Sequence, residues 1–528
     1  MNQFRRREVN LLYCIRRANQ VFGDRVAVRS VKLTLSYREL YQRVYSVAQG
    51  LRELGVQKGE RVAVLMLNAP EYFELYWAIC LVGAVIVPLN IRWSLEEMIY
   101  ALDDSGSSVL VVDHHFEPER AQLAERVASL RTFIFASDGP APNSTVAYAE
   151  LLRWRGAAEA FAEPDEDDVV GLFYTSGTTG GPKAAMLSHK NLLANAYHSI
   201  IELGINQDWN WLHSAPMFHL ADGTFTFALT LMGAGHTFIP AFDAEAFLRA
   251  IECHSVTSAL LLPTMLNIVM NHPARDNYDT TSLRTIFYGG SPMPLELLRQ
   301  AVERFKCNFV QGYGMTETSP LITLLHWRDH SFEDAGEQFA PIKSVGKPVV
   351  GVEVRIVDDA DCDLPPGEVG EILARGANVM QGYWQRPEIT AEILRGGWMH
   401  TGDMGTFDER GYLYILDRKK EMIRTGGENV YTPEVEAVIY THPDILEAAV
   451  IGVPDERWGE TIKAVVVLRA GREMLQRELI EYCRTRLTHF KCPTSVEFVS
   501  SLPKSGSGKI QKRLLKEKYW AGKEKRVN

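Results

Sequence analysis

Directly after an apolar run, Val169 to Phe173, the chain reads TSGTTGGPK from Thr175 to Lys183. Gly177 and Gly180 let backbone amides approach an anion, and the hydroxyls of Thr175, Ser176, Thr178 and Thr179 can donate to phosphate oxygens. Lys183 adds a positive charge. The pattern suits a polyphosphate, although the GxxxxGK[ST] order of a Walker A loop is absent. A flexible Gly/Ser/Thr linker is the plain alternative, but a linker seldom follows a buried strand and closes on Pro-Lys. Two carboxylates stand in comparably informative surroundings. Glu317, in YGMTE, is an oxygen ligand of the kind magnesium takes beside phosphates and water. Asp403, in WMHTGD, can accept hydrogen bonds from two hydroxyls of a sugar.

Other segments carry chemistry-bearing side chains between glycines or aromatics: APMFH (Ala215 to His219), YGGSPMP (Tyr288 to Pro294), DRKKEMIRTGGENVY (Asp417 to Tyr431) and PKSGSGK (Pro503 to Lys509). Taken in chain order, all these motifs resemble those of the adenylate-forming superfamily, which includes the acyl-CoA synthetases and other AMP-binding enzymes. The resemblance spans nearly the whole chain and is closest in motif to fatty-acyl or aryl-acid CoA ligases.

The resemblance implies the following roles. Thr175, Ser176, Gly177, Thr178, Thr179, Gly180 and Lys183 form the phosphate loop. Gly289, Gly290 and Ser291 turn beside adenine. Gln311, Gly312, Tyr313, Gly314 and Met315 lead into the signature, in which the Tyr313 ring stacks on adenine, Thr316 meets phosphate and Glu317 binds magnesium. Asp403 and Arg418 reach the ribose. Lys509 is the catalytic lysine, and His219 borders the reacting end of the acid. Lys420 is the hinge, and Gly426, Gly427 and Glu428 face coenzyme A. Phe287, Tyr288, Gly290 and Met315 line the acyl pocket with His219. One departure is Ala184, where relatives usually place glycine after Pro-Lys.

The implied cofactors and substrates are ATP, Mg2+ and coenzyme A. The implied reaction joins an apolar acid to AMP and then to the thiol of coenzyme A, with a medium- or long-chain fatty acid favoured. An aromatic or alicyclic acid is the alternative, as is a carrier protein or amine in place of coenzyme A. An inactive nucleotide-binding homologue is a reading of another class. Against it, Lys183, Thr316, Glu317, Asp403, Arg418 and Lys509 are all present. The pocket segments carry few charges. Asp222 is one, and the sequence assigns it no role.

Parallel sheets covered by helices must position these residues. Strand-like runs Arg61 to Leu67, Ala84 to Leu89 and Ser108 to Val112 alternate with helix-like runs Pro70 to Leu81 and Leu95 to Leu102. The rhythm returns at Thr257 to Leu262, Thr285 to Tyr288 and Asn308 to Gln311. After about Ser344, Val352 to Val357 and Val369 to Ala374 flank a Pro-Pro-Gly turn and read as an antiparallel, barrel-like section. The charged run Asp417 to Glu421 is poor in core residues and reads as a linker. The expected architecture is an α/β protein with a large N-terminal domain, residues 1–417, a hinge at 418–421, and a small mobile α+β domain at 422–528.

Composition narrows the class further. The 528 residues carry a formal net charge of -10, so no broad basic field invites nucleic acid. The 7 cysteines are scattered and form no CxxC, which argues against a disulfide framework or a structural zinc site. The N-terminus lacks the apolar run of a signal peptide, and the chain ends in KRVN rather than an SKL-type address. The most apolar stretch, Tyr76 to Leu89, is shorter than the ~18 residues of a membrane helix. A cytoplasmic enzyme with small-molecule partners and no transmembrane segment is expected. The sequence does not fix the oligomeric state.

Overall fold

Short runs rich in valine, isoleucine and leucine form the strands, because β-branched side chains pack well on a pleated surface. A computed structural model of the chain describes residues 9–154, 161–175, 182–337, 339–504 and 510–521. Two compact units emerge: Met1–Glu353 with Ala374–Met399, and Val354–Leu373 with His400–Asn528.

The first unit holds two large sheets. In one, the strands Val26–Arg29, Gly235–Phe238, Asn210–His213, Ser258–Leu260, Thr285–Gly289 and Asn308–Gly314 lie side by side and parallel. The antiparallel strand Leu321–Leu325 extends it. In the other, Val85–Pro88, Arg61–Leu65, Val109–Val112 and Thr132–Phe135 run parallel, and Val85–Pro88 also pairs with Val169–Thr175. Both faces of a parallel sheet must be covered, so these strands are apolar throughout rather than alternating. Arg61–Leu65, Val85–Pro88 and Val109–Val112 are buried at nearly every position.

The helix Pro70–Val82 begins on proline, whose missing N–H costs nothing at that position, and ends at Gly83 in the left-handed region, φ 78°. It is apolar on nearly all sides and buried from Tyr72 to Leu81, as a helix without a polar face must be. Glu74 is the exception inside it. Burial pushes its carboxyl up, and Arg43, at 2.5 Å, and the Tyr148 hydroxyl, at 2.7 Å, oppose that push.

The section expected to be barrel-like is an open sheet of four strands in the order Val352–Val357, Gly370–Gly376, Met399–Phe407, Leu413–Arg418. Its last pair is antiparallel, as expected. Its edge strands do not pair with each other, and four strands are too few to close on themselves.

In the second unit a long hairpin, Ile445–Asp455 with Gly459–Leu468, is buried on both faces. Ala448, Val450, Ile462, Ala464 and Val466 pack with Val435, Ile439 and Leu479 of the helices Thr432–Tyr440 and Gln476–Arg484. Ala449, Ile451, Val453, Val465 and Val467 pack with Leu515 of the helix Lys512–Trp520. The period-2 alternation of a strand sends neighbours to opposite cores. Among the described residues, no helix is long and apolar enough to cross a membrane.

Candidate active site

The strands Val169–Thr175 and Lys183–Ser188 form an antiparallel hairpin with Thr175 opposite Lys183. The Thr175 hydroxyl donates to the Lys183 carbonyl at 3.3 Å, which pins both ends of the glycine-rich segment. Ser176, Gly177, Thr178, Thr179 and Gly180 lie outside the described residues. Ala184 is buried opposite Tyr174, and its carbonyl accepts from the Trp384 N–H at 2.9 Å, so the alanine fits here without displacing the pairing.

The Lys183 ammonium lies over the Tyr383 ring, 5.6 Å from its centre. The Tyr383 hydroxyl donates to Glu317 Oε1 at 2.6 Å. Tyr383 therefore joins Lys183 to the acidic residue of the YGMTE motif. Glu317 is 5% exposed, and among the described residues its second oxygen has no hydrogen-bond partner. A carboxylate oriented through one oxygen, as Glu317 is by Tyr383, fits a magnesium ligand. Asn378 fixes the turn behind it, donating to the carbonyls of Thr318 and Leu321 at 2.7 Å each.

Glycines on two neighbouring strands shape the next part of the site. Gly289 pairs with Gly312 across Thr285–Gly289 and Asn308–Gly314. A Cβ at Gly289 would lie 2.4 Å from the Gly312 carbonyl oxygen, and one at Gly314 only 1.7 Å from that of Pro320. Close backbone approach explains these two glycines, whereas Gly290 sits in the left-handed region at φ 77° and starts the turn to Ser291. Gln311 lies opposite Tyr288, and Tyr313, Met315 and Thr316 are half-buried at the strand end beside Glu317.

Phe287 and Tyr288 do not line one wall. Successive strand residues face opposite ways. Phe287 packs edge-on against Phe225, with ring centres 5.4 Å apart, while Tyr288 OH meets His330 Nε2 at 2.9 Å. His219 caps the short helix Leu220–Gly223, its Nδ1 accepting from the Ala221 N–H at 3.1 Å. That bond fixes the orientation of the His219 ring at the start of the helix.

The second unit carries the remaining candidates. Asp403 and Arg418 face each other across antiparallel strands, with Arg418 Nε 3.3 Å from Asp403 Oδ1. Lys420 is exposed in the turn after Arg418, whose carbonyl accepts from Glu421 N–H at 2.8 Å and Met422 N–H at 3.0 Å. Gly426 and Gly427, at φ 59° and 88°, form the tip of a hairpin between Ile423–Thr425 and Glu428–Val430, with Glu428 exposed beside them. Two consecutive residues with positive φ are what a tight two-residue hairpin turn demands. Lys509 lies outside the described residues. Lys504 and Ile510, which flank its segment, form an antiparallel bridge.

Within the run Asp417 to Glu421, read above as a linker, the first residue is not solvated. Asp417 is 4% exposed and continues a strand. Its carboxylate accepts from the N–H groups of Thr432 at 2.6 Å and Arg418 at 2.7 Å. Lys512 supplies the charge that makes this burial tolerable, with its ammonium 2.8 Å from Glu436 and 3.7 Å from Glu421. Burial pulls the Lys512 ammonium down, but the attraction of Glu436, Glu421 and Asp417 outweighs it and raises the group above its ordinary value. Asp417 and Glu436 stay above the usual carboxylate range, because burial outweighs a shared cation.

Tyr383, Asn378 and Lys512 were not singled out by sequence, and Asp222 was noted there without a role. Tyr383 and Asn378 lie more than 60 positions from the motif they support, and no local spacing ties them to it.

A model of the AMP-binding enzyme family matches residues 15–384, and one of the AMP-binding enzyme C-terminal domain matches residues 434–509. A feruloyl-CoA synthase from Amycolatopsis is 42% identical over 502 residues, covering 93% of this chain and 96% of that protein. The o-succinylbenzoate CoA synthetase of Bacillus subtilis, solved with its acyl-adenylate intermediate, superposes with a TM-score of 0.83 at 32% identity. That match covers 96% of this chain and 98% of the other. The amide bond synthetase of Marinactinospora thermotolerans superposes with a TM-score of 0.86 at 32% identity, over 96% of this chain and 99% of its own.

Proposed function

The chain belongs to the AMP-binding enzyme family, as an AMP-forming acid–thiol ligase, and from that premise we propose that its acid is aromatic, a phenylpropenoic acid such as ferulate. The likeness to a feruloyl-CoA synthase over nearly the whole chain carries the reading. The straight-chain fatty acid favoured on sequence grounds gives way to the aryl alternative, since the relatives named above act on feruloyl and o-succinylbenzoyl acids. The apolar, uncharged pocket segments suit either acid, so composition could not separate them. The aromatic contacts behind Phe287 favour a flat ring, because aromatic pairs gain about 0.5–1.5 kcal/mol beyond their buried area.

In the first half-reaction the carboxylate attacks the α-phosphorus of ATP and pyrophosphate leaves. Lys183 and the hydroxyls of the glycine-rich segment would hold the β- and γ-phosphates. Glu317, oriented by Tyr383, would hold magnesium, which neutralises phosphate charge when bound. Asp403 would accept the ribose hydroxyls, with Arg418 beside it. Lys509 would offset charge at the α-phosphate. These are positioning and charge-stabilising roles, which suit phosphoryl chemistry that needs few proton transfers. His219 would border the carboxylate of the acid. In the second half-reaction the thiol of coenzyme A attacks the acyl carbonyl and AMP leaves. The hairpin Gly426–Glu428 would border that thiol's path, reached by rotation at Lys420.

Pyrophosphate release across a panel of acids, with and without coenzyme A, tests the reading. Ferulate and related aryl acids should give the highest kcat/KM, with thioester formed only when coenzyme A is present. A clear preference for dodecanoate, or for an amine acceptor over coenzyme A, contradicts it.

A further inference from the structure

Asp222 is fully buried beneath the turn that carries His219. Its two oxygens have separate partners: Oδ2 lies 2.6 Å from His213 Nδ1, and Oδ1 accepts from the Trp211 indole N–H at 3.1 Å. The chain of bonds continues inward from His213 Nε2 to His236 Nδ1 at 3.0 Å, and from His236 Nε2 to the Thr230 hydroxyl at 3.3 Å. Burial, and then His213, hold His236 well below its ordinary pKa, so that ring is neutral. One run of donors satisfies every bond: Thr230 donates to His236, His236 to His213, and His213 to Asp222.

This carboxylate is anchored on both sides of the acid site. On one side it belongs to the helical turn capped by His219, and its own N–H donates to the His219 carbonyl at 3.1 Å. The preceding segment is clamped as well, with Tyr76 donating to the Met217 carbonyl at 2.6 Å and Asn68 accepting from the Met217 N–H at 2.8 Å. On the other side it fixes the plane of Trp211. That indole stacks on Phe225, centres 3.9 Å apart and tilted 21°, and Phe225 meets Phe287 in a T-shaped pair. A ring held by a hydrogen bond from its N–H cannot rotate without breaking it, so one carboxylate sets both the His219 turn and the aromatic column.

Resting on the proposed aryl-acid reading, we infer that Asp222 is a positioning residue for acid selection. It aligns the His219 turn with the Trp211–Phe225–Phe287 column, so that carboxylate and ring of the acid are gripped together. It touches neither ATP nor acid.

The test measures acid-dependent ATP–pyrophosphate exchange in Asp222→Asn and Trp211→Phe, with ferulate and with dodecanoate, and determines KM for acid and ATP separately. Asp222→Asn, which loses a charged hydrogen-bond acceptor, should raise KM for ferulate about tenfold or more and shrink the preference for ferulate over dodecanoate. KM for ATP should stay within about twofold. Trp211→Phe keeps a ring in the core and removes only the donor, so it should show the same loss of preference, more weakly. It carries the test if the asparagine variant fails to fold. Acid and ATP KM rising together, or a lowered melting temperature with the preference intact, overturns the inference. A wild-type enzyme without preference for ferulate sinks the underlying reading instead. A wild-type preference that survives both substitutions sinks only the role of Asp222.

Discussion

Asp222 and Asp417 are both carboxylates shut away from water, at 0% and 4% exposure, yet they are held in different ways. Asp222 rests on two ring N–H donors fixed in the sheet, with a second histidine and a threonine behind them. No single long side chain supports it. Asp417 depends on backbone N–H groups and on one lysine, Lys512, which also serves Glu436 and Glu421. The acid side of the molecule is thus set by short, rigid groups, suited to fixing a ring and a carboxylate. The carboxylates of Asp417, Glu421 and Glu436 share one flexible cation, Lys512. A buried charge cluster with one cation fails when that cation goes, whereas a distributed network loses geometry before it loses stability.

Lys512→Met breaks that contrast at its weakest point and should have the largest effect. It leaves three carboxylates without their cation, which costs about 3–5 kcal/mol of stability in the second unit. The sign of the pH dependence follows from Asp417 and Glu436, whose folded pKa values already lie above the usual range. Without Lys512 they rise further. A carboxylate that binds its proton more tightly when folded favours the folded state at low pH and penalises it above that pKa. Chemical denaturation of the variant should therefore show stability recovering as pH falls from 8 toward about 5. Stability that is flat across this window, or equal to the wild type, removes the single-cation reading.

Tyr383→Phe sharpens the comparison from the phosphate side. It removes one hydrogen bond to a buried carboxylate, worth about 1.5–3 kcal/mol, and keeps the ring beneath Lys183. KM for ATP, and the magnesium concentration needed for half-maximal exchange, should rise, with KM for the acid little changed. Asp222→Asn should do the reverse. A variant in which acid and ATP respond alike would show that the two supports are not separate.

Residues whose function is local in sequence were the ones legible there. The glycine-rich segment before Lys183 and the glycines Gly289, Gly312 and Gly426 were visible as motifs, because close backbone approach and positive φ restrict the residue type at fixed spacing; the strand pairings they serve were not. The parallel strands were visible as apolar runs. Val352–Val357 matches its expected bounds, and Asn308–Gly314 runs three residues further than the hydrophobic run. Supporting residues were not legible. Tyr383 reaches Glu317 across 66 positions, and Lys512 reaches Glu436 across the second unit, so nothing periodic announces either. Asp417 was visible as a charge in a run read as a linker, and its burial was not, because its neutralising partner lies 95 positions away. Phe287 and Tyr288, read together as pocket residues, have separate partners because successive strand residues face opposite ways, which a motif read as a unit conceals.

The division of labour between acid activation and thiol transfer is the claim the rest depends on, and Lys420→Pro tests it most directly. Proline fixes φ near -65° and restricts the residue before it, so rotation at this turn should be blocked. The measurement is acid-dependent ATP–pyrophosphate exchange alongside coenzyme A thioester formation, in the same preparation with ferulate. Separate half-reactions predict that exchange persists near the wild-type rate while thioester formation collapses. Both activities surviving, or both falling together, would contradict it.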